Sequence, residues 1–429
     1  MSSDDVSRQM QADWNERALE DAHYYVAFGA RAQDEAAFLA TAAEAVRAIE
    51  SELKWFPADT DVSAMRALEI GCGPGRLMRP LSRHFGEIYG VDVSDEMIRL
   101  ARERLQDIPN AHVEATNGAT LSQFAADSID FIYSYAVFQH IPSRDVVLSY
   151  MREARRILKP GGIFRAQFNG LPHDVVPDTW SGVTFSAEDL NTFTRENGFQ
   201  LLALEGVDTQ YMWTTWRRAA PRSNRSAPPP EIRRITNAHT SETLVPAGGR
   251  HAVAAIWIVD LPRELDLNNL EVLFDGIPGT PYYIGPLLRG NLQQINVRLP
   301  RGLRTGLVPV ETCGAVKWIR VVPPGPMVPR IVSVTDGVNL VQHNHVSTGL
   351  VKVVVEEIGD PAAVAVTVDS QPVEDLELKC TDPVPPRYEL NFRLPLKLAA
   401  GRHALEIRAG NRSLMPHAID VTVGPQSTG

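Results

Sequence analysis

The chain has 429 residues, 44% of them hydrophobic and 22% charged, which is enough for two or three domain cores and argues against a disordered chain. The formal net charge is −10, and residues 1–218 hold 32 acids against 21 bases, so the front half is a poor track for a phosphate backbone and no nucleic-acid partner is expected. No apolar run approaches the ~18 residues of a membrane span, and Cys72, Cys313 and Cys380 have no CxxC spacing, which argues against a disulfide scaffold or a zinc module.

The polar, acidic start MSSDDVSRQM lacks the basic and apolar regions of a signal peptide, so a cytoplasmic protein is expected. From Gln33 to Trp55, apolar residues recur at helical spacing. A strand follows at Ala67–Ile70, then a glycine turn and a helix through Leu77–His84. Strand Glu87–Val91 leads to helix Glu96–Leu105. Further strands are expected near His112–Ala115 and at Ile129–Tyr135, then helix Arg144–Leu158. The turn Lys159-Pro160-Gly161-Gly162 stops that helix, and a fifth strand follows at Ile163–Phe168. Strands separated by helices imply a parallel, doubly wound sheet that binds ligands at its C-terminal strand ends.

Beyond residue 220 the pattern changes. The stretch 221–231 is polar and proline-rich and reads as a linker. Short β-rich runs follow at 251–261, 270–276, 294–300 and 316–322. A second proline-rich joint, PPGPMVP, spans 323–329, and more such runs lie beyond it. The expected fold class is therefore multidomain: an α/β domain at 1–220, then two all-β immunoglobulin-like sandwiches at 232–325 and 329–425. His343-Asn344-His345 reads either as two imidazoles on one strand face or as an exposed loop; no third ligand stands nearby, so the loop reading is preferred and no metal site is expected.

The loop Gly71-Cys72-Gly73-Pro74-Gly75 follows an apolar strand and opens a helix. Its glycines permit positive φ, and the helix start presents free N–H groups, so the loop suits a nucleotide-like ligand. Asp92 ends the next strand, at the distance where an acid accepts hydrogen bonds from ribose hydroxyls. The nicotinamide fingerprint needs a third small residue where this chain has Arg76, which argues against a dinucleotide.

These residues resemble the class I, Rossmann-like methyltransferases of small-molecule type that use S-adenosylmethionine. The resemblance is good over roughly 60–170 and looser over 1–215. Glu69-x-Gly71-x-Gly73-x-Gly75 looks like the family's first motif, and Asp92, followed by Val93, like its ribose-binding acid. Asp130-Phe131-Ile132-Tyr133-Ser134-Tyr135 resembles the fourth-strand motif, and Leu158-Lys159-Pro160-Gly161-Gly162 the turn before strand five. The resemblance implies that Met97 packs near the adenine and that Asn117 and Gly118 border it. Met97 also reads as a core methionine, and Asn117-Gly118 as a turn pair. A weaker pattern at 270–278 and 293–300 resembles TIG-type immunoglobulin-like domains.

The acceptor is expected above the ends of strands four and five. Phe138, Gln139, His140 and Asn169 are its candidate contacts, and His140 and Tyr135 the candidate catalytic groups. His140 reads either as a general base or as a histidine bonded for structure. Tyr135 also borders the cofactor. The segment 14–25 precedes the core and reads as a helical lid, from which Tyr24 or Tyr25 reaches the cofactor's methionine end, or as a plain packing helix. The expected acceptor is a small molecule or a glycan- or lipid-linked one, methylated at oxygen or nitrogen, and the β-domains offer a route to a homodimer. The competing reading is a binding or assembly protein with a vestigial cofactor domain.

Overall fold

The computed structural model describes residues 3–27, 31, 33–57, 59–171, 176–220, 228–325, 328–338, 343–383, 386–396 and 398–422. The chain groups into two compact units. One takes Met1–Ala22, Glu35–Ala247 and His251–Pro323; the other takes His23–Asp34, Gly248–Arg250 and Pro324–Gly429. Among the described residues no helix is long and apolar enough to cross a membrane.

The first unit opens with α1 (Ser3–Ala27), which is broken at Asp21 and continues into the other unit. The single helix expected over 33–55 is two, α2 (Glu35–Ala40) and α3 (Ala43–Glu52), separated at Thr41–Ala42 by tight turns onto the Phe38 and Leu39 carbonyls. Next come β1 (Arg66–Ile70), α4 (Met78–Leu81), β2 (Glu87–Asp92), α5 (Asp95–Leu105), β3 (Ala111–Ala115), β4 (Ile129–Ser134), α6 (Arg144–Ile157) and β5 (Leu158–Phe168). Helix α7 (Ala187–Asn197), β6 (Phe199–Glu205) and β7 (Met212–Arg218) complete this part.

Local chemistry sets several of these ends. The Ser94 hydroxyl caps α5 by accepting from the Met97 N–H, Asp95 and Glu96 occupy its first turn, and Arg102 and Arg104 its last. A Ser186–Asp189 capping box starts α7, and Gly198 at φ +64° ends it. Against expectation, β5 begins at Leu158. The pairing jumps from Ile129 opposite Leu158 to Phe131 opposite Ile163, so the Lys159–Gly162 turn bulges out within the strand.

The strand order is β3-β2-β1-β4-β5-β7-β6. The first four pairings are parallel, and β7 runs antiparallel to both β5 and β6. Alternate residues feed two apolar layers. Leu68, Ile70, Ile132, Phe164 and Phe168 join α6 and α7 on one side; Ala67, Ile88, Phe131 and Ile163 join α3, α4 and α5 on the other. Strand order reverses between β1 and β4, which opens a crevice at their C-terminal ends.

The sheet does not stop at β6. The remaining strands of the unit are β8 (Glu231–Asn237), β9 (Leu244–Pro246), β10 (Val253–Val259), β11 (Leu273–Phe274), β12 (Ile277–Pro278), β13 (Thr280–Ile284), β14 (Leu292–Arg298), β15 (Gly306–Thr312) and β16 (Ala315–Val322). Tyr283 of β13 pairs with Ala203 of β6, and β14, β10 and β8 continue the same sheet. A second sheet, β12-β11-β15-β16-β9, shares a single apolar cluster with these strands. The expected division at 221–231 therefore differs from the structure. Residues 221–227 lie outside the described residues, Glu231 already opens β8, and the strands of 232–323 belong to the first unit. A sequence pattern marks strands but not which edge they join.

The second unit holds β17 (Arg330–Asp336), β18 (His345–Val346), β19 (Leu350–Glu356), β20 (Val364–Val368), β21 (Gln371–Pro372), β22 (Glu374–Pro383), β23 (Pro386–Arg393), β24 (Gly401–Ala409), β25 (Arg412–Ser413) and β26 (His417–Val421). The sheets β17-β19-β23-β22 and β18-β26-β24-β20-β21, with β25 on β24, enclose one Val-, Leu- and Ile-rich core. Buried Glu356 is held by Arg330 and Arg387.

Candidate active site

The glycine loop is pinned to the end of β2. The Gly71 and Cys72 N–H groups both donate to the Val91 carbonyl, at 2.8 and 3.0 Å. The Gly73 N–H donates to Asp92 Oδ2 at 2.9 Å, and the Ser94 N–H to Oδ1 at 2.9 Å. Gly71 has φ +73°, and a Cβ there would lie 2.3 Å from Val137 Cγ2 just beyond β4, so both backbone and space demand glycine. Burial raises the Asp92 carboxyl above its ordinary range, opposed by the backbone donors of Ser94 and Gly73. Both oxygens accept from backbone N–H groups and keep acceptor capacity for a diol.

Glu69, at the end of β1, is buried and accepts from the Tyr133 hydroxyl at 2.9 Å. Burial pushes its carboxyl up to about 8, against the Tyr133 bond and the Arg76 charge. Arg76 is itself buried. It donates from Nη1 to the Thr41 hydroxyl at 2.9 Å, with the Phe38 and Tyr135 rings each 5.9 Å from the guanidinium carbon.

Of the other expected cofactor contacts, Met97, Asn117 and Gly118 belong to the first unit. Met97 is buried at the start of α5, where its N–H meets Ser94. Gly118 has φ +77°, and a Cβ there would lie 2.9 Å from Val93 and 3.1 Å from Met10. Asn117 is exposed, and its Oδ1 already accepts from the Ala119 and Thr120 N–H groups and the Thr120 hydroxyl. It serves the turn that the Asn-Gly pair announces. Tyr24 and Tyr25 belong to the second unit, where their rings meet edge-on at 5.1 Å and Arg31 lies over Tyr24.

Beyond β4, a chain of side-chain amides leads to His140. Gln167 accepts from the Ala136 N–H and donates to Gln139 Oε1 at 2.8 Å; Gln139 Nε2 donates to His140 Nε2 at 3.2 Å. On the other side His140 Nδ1–H donates to the Trp180 carbonyl at 2.7 Å, which fixes the tautomer. Burial drops the imidazole to about 4, so the ring is neutral at pH 7. The Trp14 and Trp180 rings flank it at 5.6 and 5.5 Å.

Tyr135 is half-buried beside Trp213, and burial raises its hydroxyl pKa. Phe138 does not face a ligand space. It is 1% exposed and packs against Tyr150, Phe164 and Phe168. The expectation of a substrate contact is corrected there, because the short helical turn at Phe138–His140 sends its first side chain into the core. Asn169 accepts from the Leu171 N–H and shapes the chain after β5. Trp216 is core, and Tyr211 is exposed.

The segment read as a lid and several residues without a motif also contribute. Residues of α1 cross the C-terminal strand ends. Asn15 accepts from the Ser94 hydroxyl at 2.7 Å and the Glu96 N–H at 3.2 Å. Arg17 donates to the Thr179 carbonyl and hydroxyl and lies over both the Trp14 and Trp180 rings. Gln167 and Thr41 carry no motif. Arg76 carries a sequence signal, a charge between Gly75 and Leu77 where an apolar helix is expected to start.

Residues 68–166 match the family model described as a methyltransferase domain. Phosphoethanolamine N-methyltransferase 2 of Caenorhabditis elegans is 35% identical over 97 residues, 22% of this chain and 22% of that protein. A ubiquinone biosynthesis O-methyltransferase of Xanthomonas oryzae pv. oryzae is 25% identical over 122 residues, 28% of this chain and 50% of that protein. The chain thus spans half or less of these curated relatives. Among solved structures, the geranyl diphosphate C-methyltransferase of Streptomyces coelicolor is 14% identical, with a TM-score of 0.38, over 50% of this chain and 98% of that one.

Proposed function

We propose that this chain, which carries a methyltransferase domain, moves a methyl group from S-adenosylmethionine to a small-molecule acceptor. The observation that carries the reading is the Asp92 carboxylate fixed between the Gly73 and Ser94 N–H groups beside a loop of positive-φ glycines. Asp92 accepts from the ribose hydroxyls, the loop backbone lies along the cofactor, and Val93, Met97 and Gly118 border the base. Asn117 offers its amide N–H to the base edge. Glu69 faces the amino-acid end.

The cofactor, when bound, supplies a methyl group on a sulfonium, a good leaving group. What remains for the chain is to align the acceptor and exclude water. Trp14, Trp180 and the strand ends make a dry surround, and Gln139, Gln167 and His140 offer fixed polar atoms toward an acceptor. His140 is held as the neutral Nδ1–H tautomer and resists protonation, which supports an orienting role over that of a strong general base. Tyr135 is a protonated donor near neutral pH. The names of the two curated relatives above span nitrogen and oxygen acceptors, in keeping with an oxygen or nitrogen acceptor here. We read the β-rich segments as immunoglobulin-like and assign them a role in holding a glycan-linked acceptor or a second copy of the chain.

Calorimetry with S-adenosylhomocysteine tests the core of this reading. The wild type is expected to bind and Asp92→Ala to lose at least about tenfold, the worth of charge-assisted hydrogen bonds. Failure of the wild type to bind overturns it.

A further inference from the structure

The second sheet of the first unit buries one face and leaves the other bare. Val245, Phe274, Val308, Val310, Ile319 and Val321 point into the shared core. The alternate residues of the same strands point outward. Trp318 is 60% exposed, Val316 56% and Leu307 54%. The ladder sets Arg320 opposite Leu307, Trp318 opposite Pro309 and Val316 opposite Glu311. Leu244 of β9 lies next to Arg320, and Leu273 of β11 next to Glu311. A single exposed apolar side chain is ordinary, but a contiguous apolar face across four strands marks an interaction surface.

The charges on this face select its occupant. Arg320 and Glu311 are both exposed, and among the described residues neither forms an ion pair. Arg320 lies two residues past Trp318, and Glu311 two past Pro309 on the antiparallel neighbour, so the two charges flank the Trp318–Pro309 pair from opposite ends. A twofold axis running across the strands at that pair turns one end onto the other. It brings Arg320 of each copy beside Glu311 of the other, with Trp318 against Trp318 at the centre. An apolar centre with opposite charges placed evenly about it matches a rotated copy of itself, as an isologous contact requires. A glycan would need many polar partners around the ring, whereas the neighbours here are Leu, Val and Pro. We propose that the outer face of β9, β16, β15 and β11 is a twofold interface between two copies of this chain. The inference deepens the role given above to the β-rich segments, choosing the second copy over the glycan, and stands apart from methyl transfer.

Sedimentation velocity on the full chain, from about 1 to 100 μM, tests the proposal. The wild type is expected to reach twice the mass of the chain within that range. Trp318→Lys is expected to weaken association by at least about thirtyfold, the loss of one central aromatic anchor. Arg320→Glu and Glu311→Arg are each expected to weaken it by at least about tenfold, because each sets like charges together at both ends of the interface. The two combined are expected to return association to within about threefold of wild type. A wild type that stays monomeric overturns the proposal. So does a dimer that survives Trp318→Lys, or a double charge reversal no better than the single ones. If Trp318→Lys fails to fold by circular dichroism, Leu307→Lys and the charge reversals decide. Cofactor binding is read separately by calorimetry, so a failure of the methyl-transfer reading shows there and not in the mass.

Discussion

Glu69 and His140 are both buried at the site, and burial disfavours the charged form of each. Their effects on stability fall in different pH windows. Folded Glu69 keeps its proton up to about 8, whereas the unfolded chain releases it near 4.5, so stability falls as pH rises through that interval. Folded His140 stays neutral down to about 4, whereas the unfolded chain takes a proton near 6.5, so stability falls as pH drops from 6.5 toward 4. Glu69→Gln is expected to flatten the alkaline side of a plot of Tm against pH, and His140→Gln the acid side. Each effect should be on the order of a few kcal/mol across its window. Scanning calorimetry from pH 4 to 9 checks both; variant curves parallel to the wild type contradict the assignment.

At the scale of the element, α1 is held by polar bonds. Its apolar residues do not gather into one stripe, although Val6 and Met10 reach the core. Gln11 meets Asp95, Asn15 meets Ser94 and Glu96, and Asp13 and Arg17 both meet Thr179. These bonds tie the helix to α5 and to the segment after β5, across the strand ends where the ligand is proposed. A helix docked this way opens more readily than one sunk into the core. Asn15→Ala combined with Arg17→Ala is expected to speed amide exchange over α1 by roughly tenfold or more, at about 1 kcal/mol per hydrogen bond, while α6 keeps its protection. Unchanged exchange in α1 contradicts this account.

At the scale of the molecule, β6 is not a free edge. Besides the Tyr283–Ala203 pairing, the Leu267 N–H donates to the Leu201 carbonyl at 2.9 Å and Gln200 donates to the Arg263 carbonyl at 2.6 Å. The Trp55 and Tyr283 rings meet at 5.5 Å. A chain ending at Ala220 would bare that edge and strip apolar neighbours from both layers, inviting aggregation. A fragment of residues 1–323 is expected to melt cooperatively and bind S-adenosylhomocysteine as the full chain does, whereas residues 1–220 melt lower or precipitate. Equal stability of the two fragments, followed by thermal denaturation and light scattering, speaks against a structural role for the extension.

Local pattern determined much of this protein. The apolar strands, the helix periods, the glycine loop and Asp92 were legible because each depends on neighbouring residues: the spacing of apolar side chains, the φ freedom of glycine, the reach of an acid at a strand end. The Asn117-Gly118 turn and the Lys159–Gly162 turn were legible for the same reason. Only the tertiary structure decided what depends on residues far apart. Val137 forbids a side chain at Gly71, 66 positions earlier in the chain. Phe138 turned inward while His140 met the Trp180 carbonyl, and no spacing rule sets that choice. The strands after residue 230 joined the edge of β6, because strand edges pair by backbone groups that every residue carries and no motif records. Arg76 shows both sides: its position was plain in the sequence, but its burial emerged only from the packing of α2, Thr41 and Tyr135 around it.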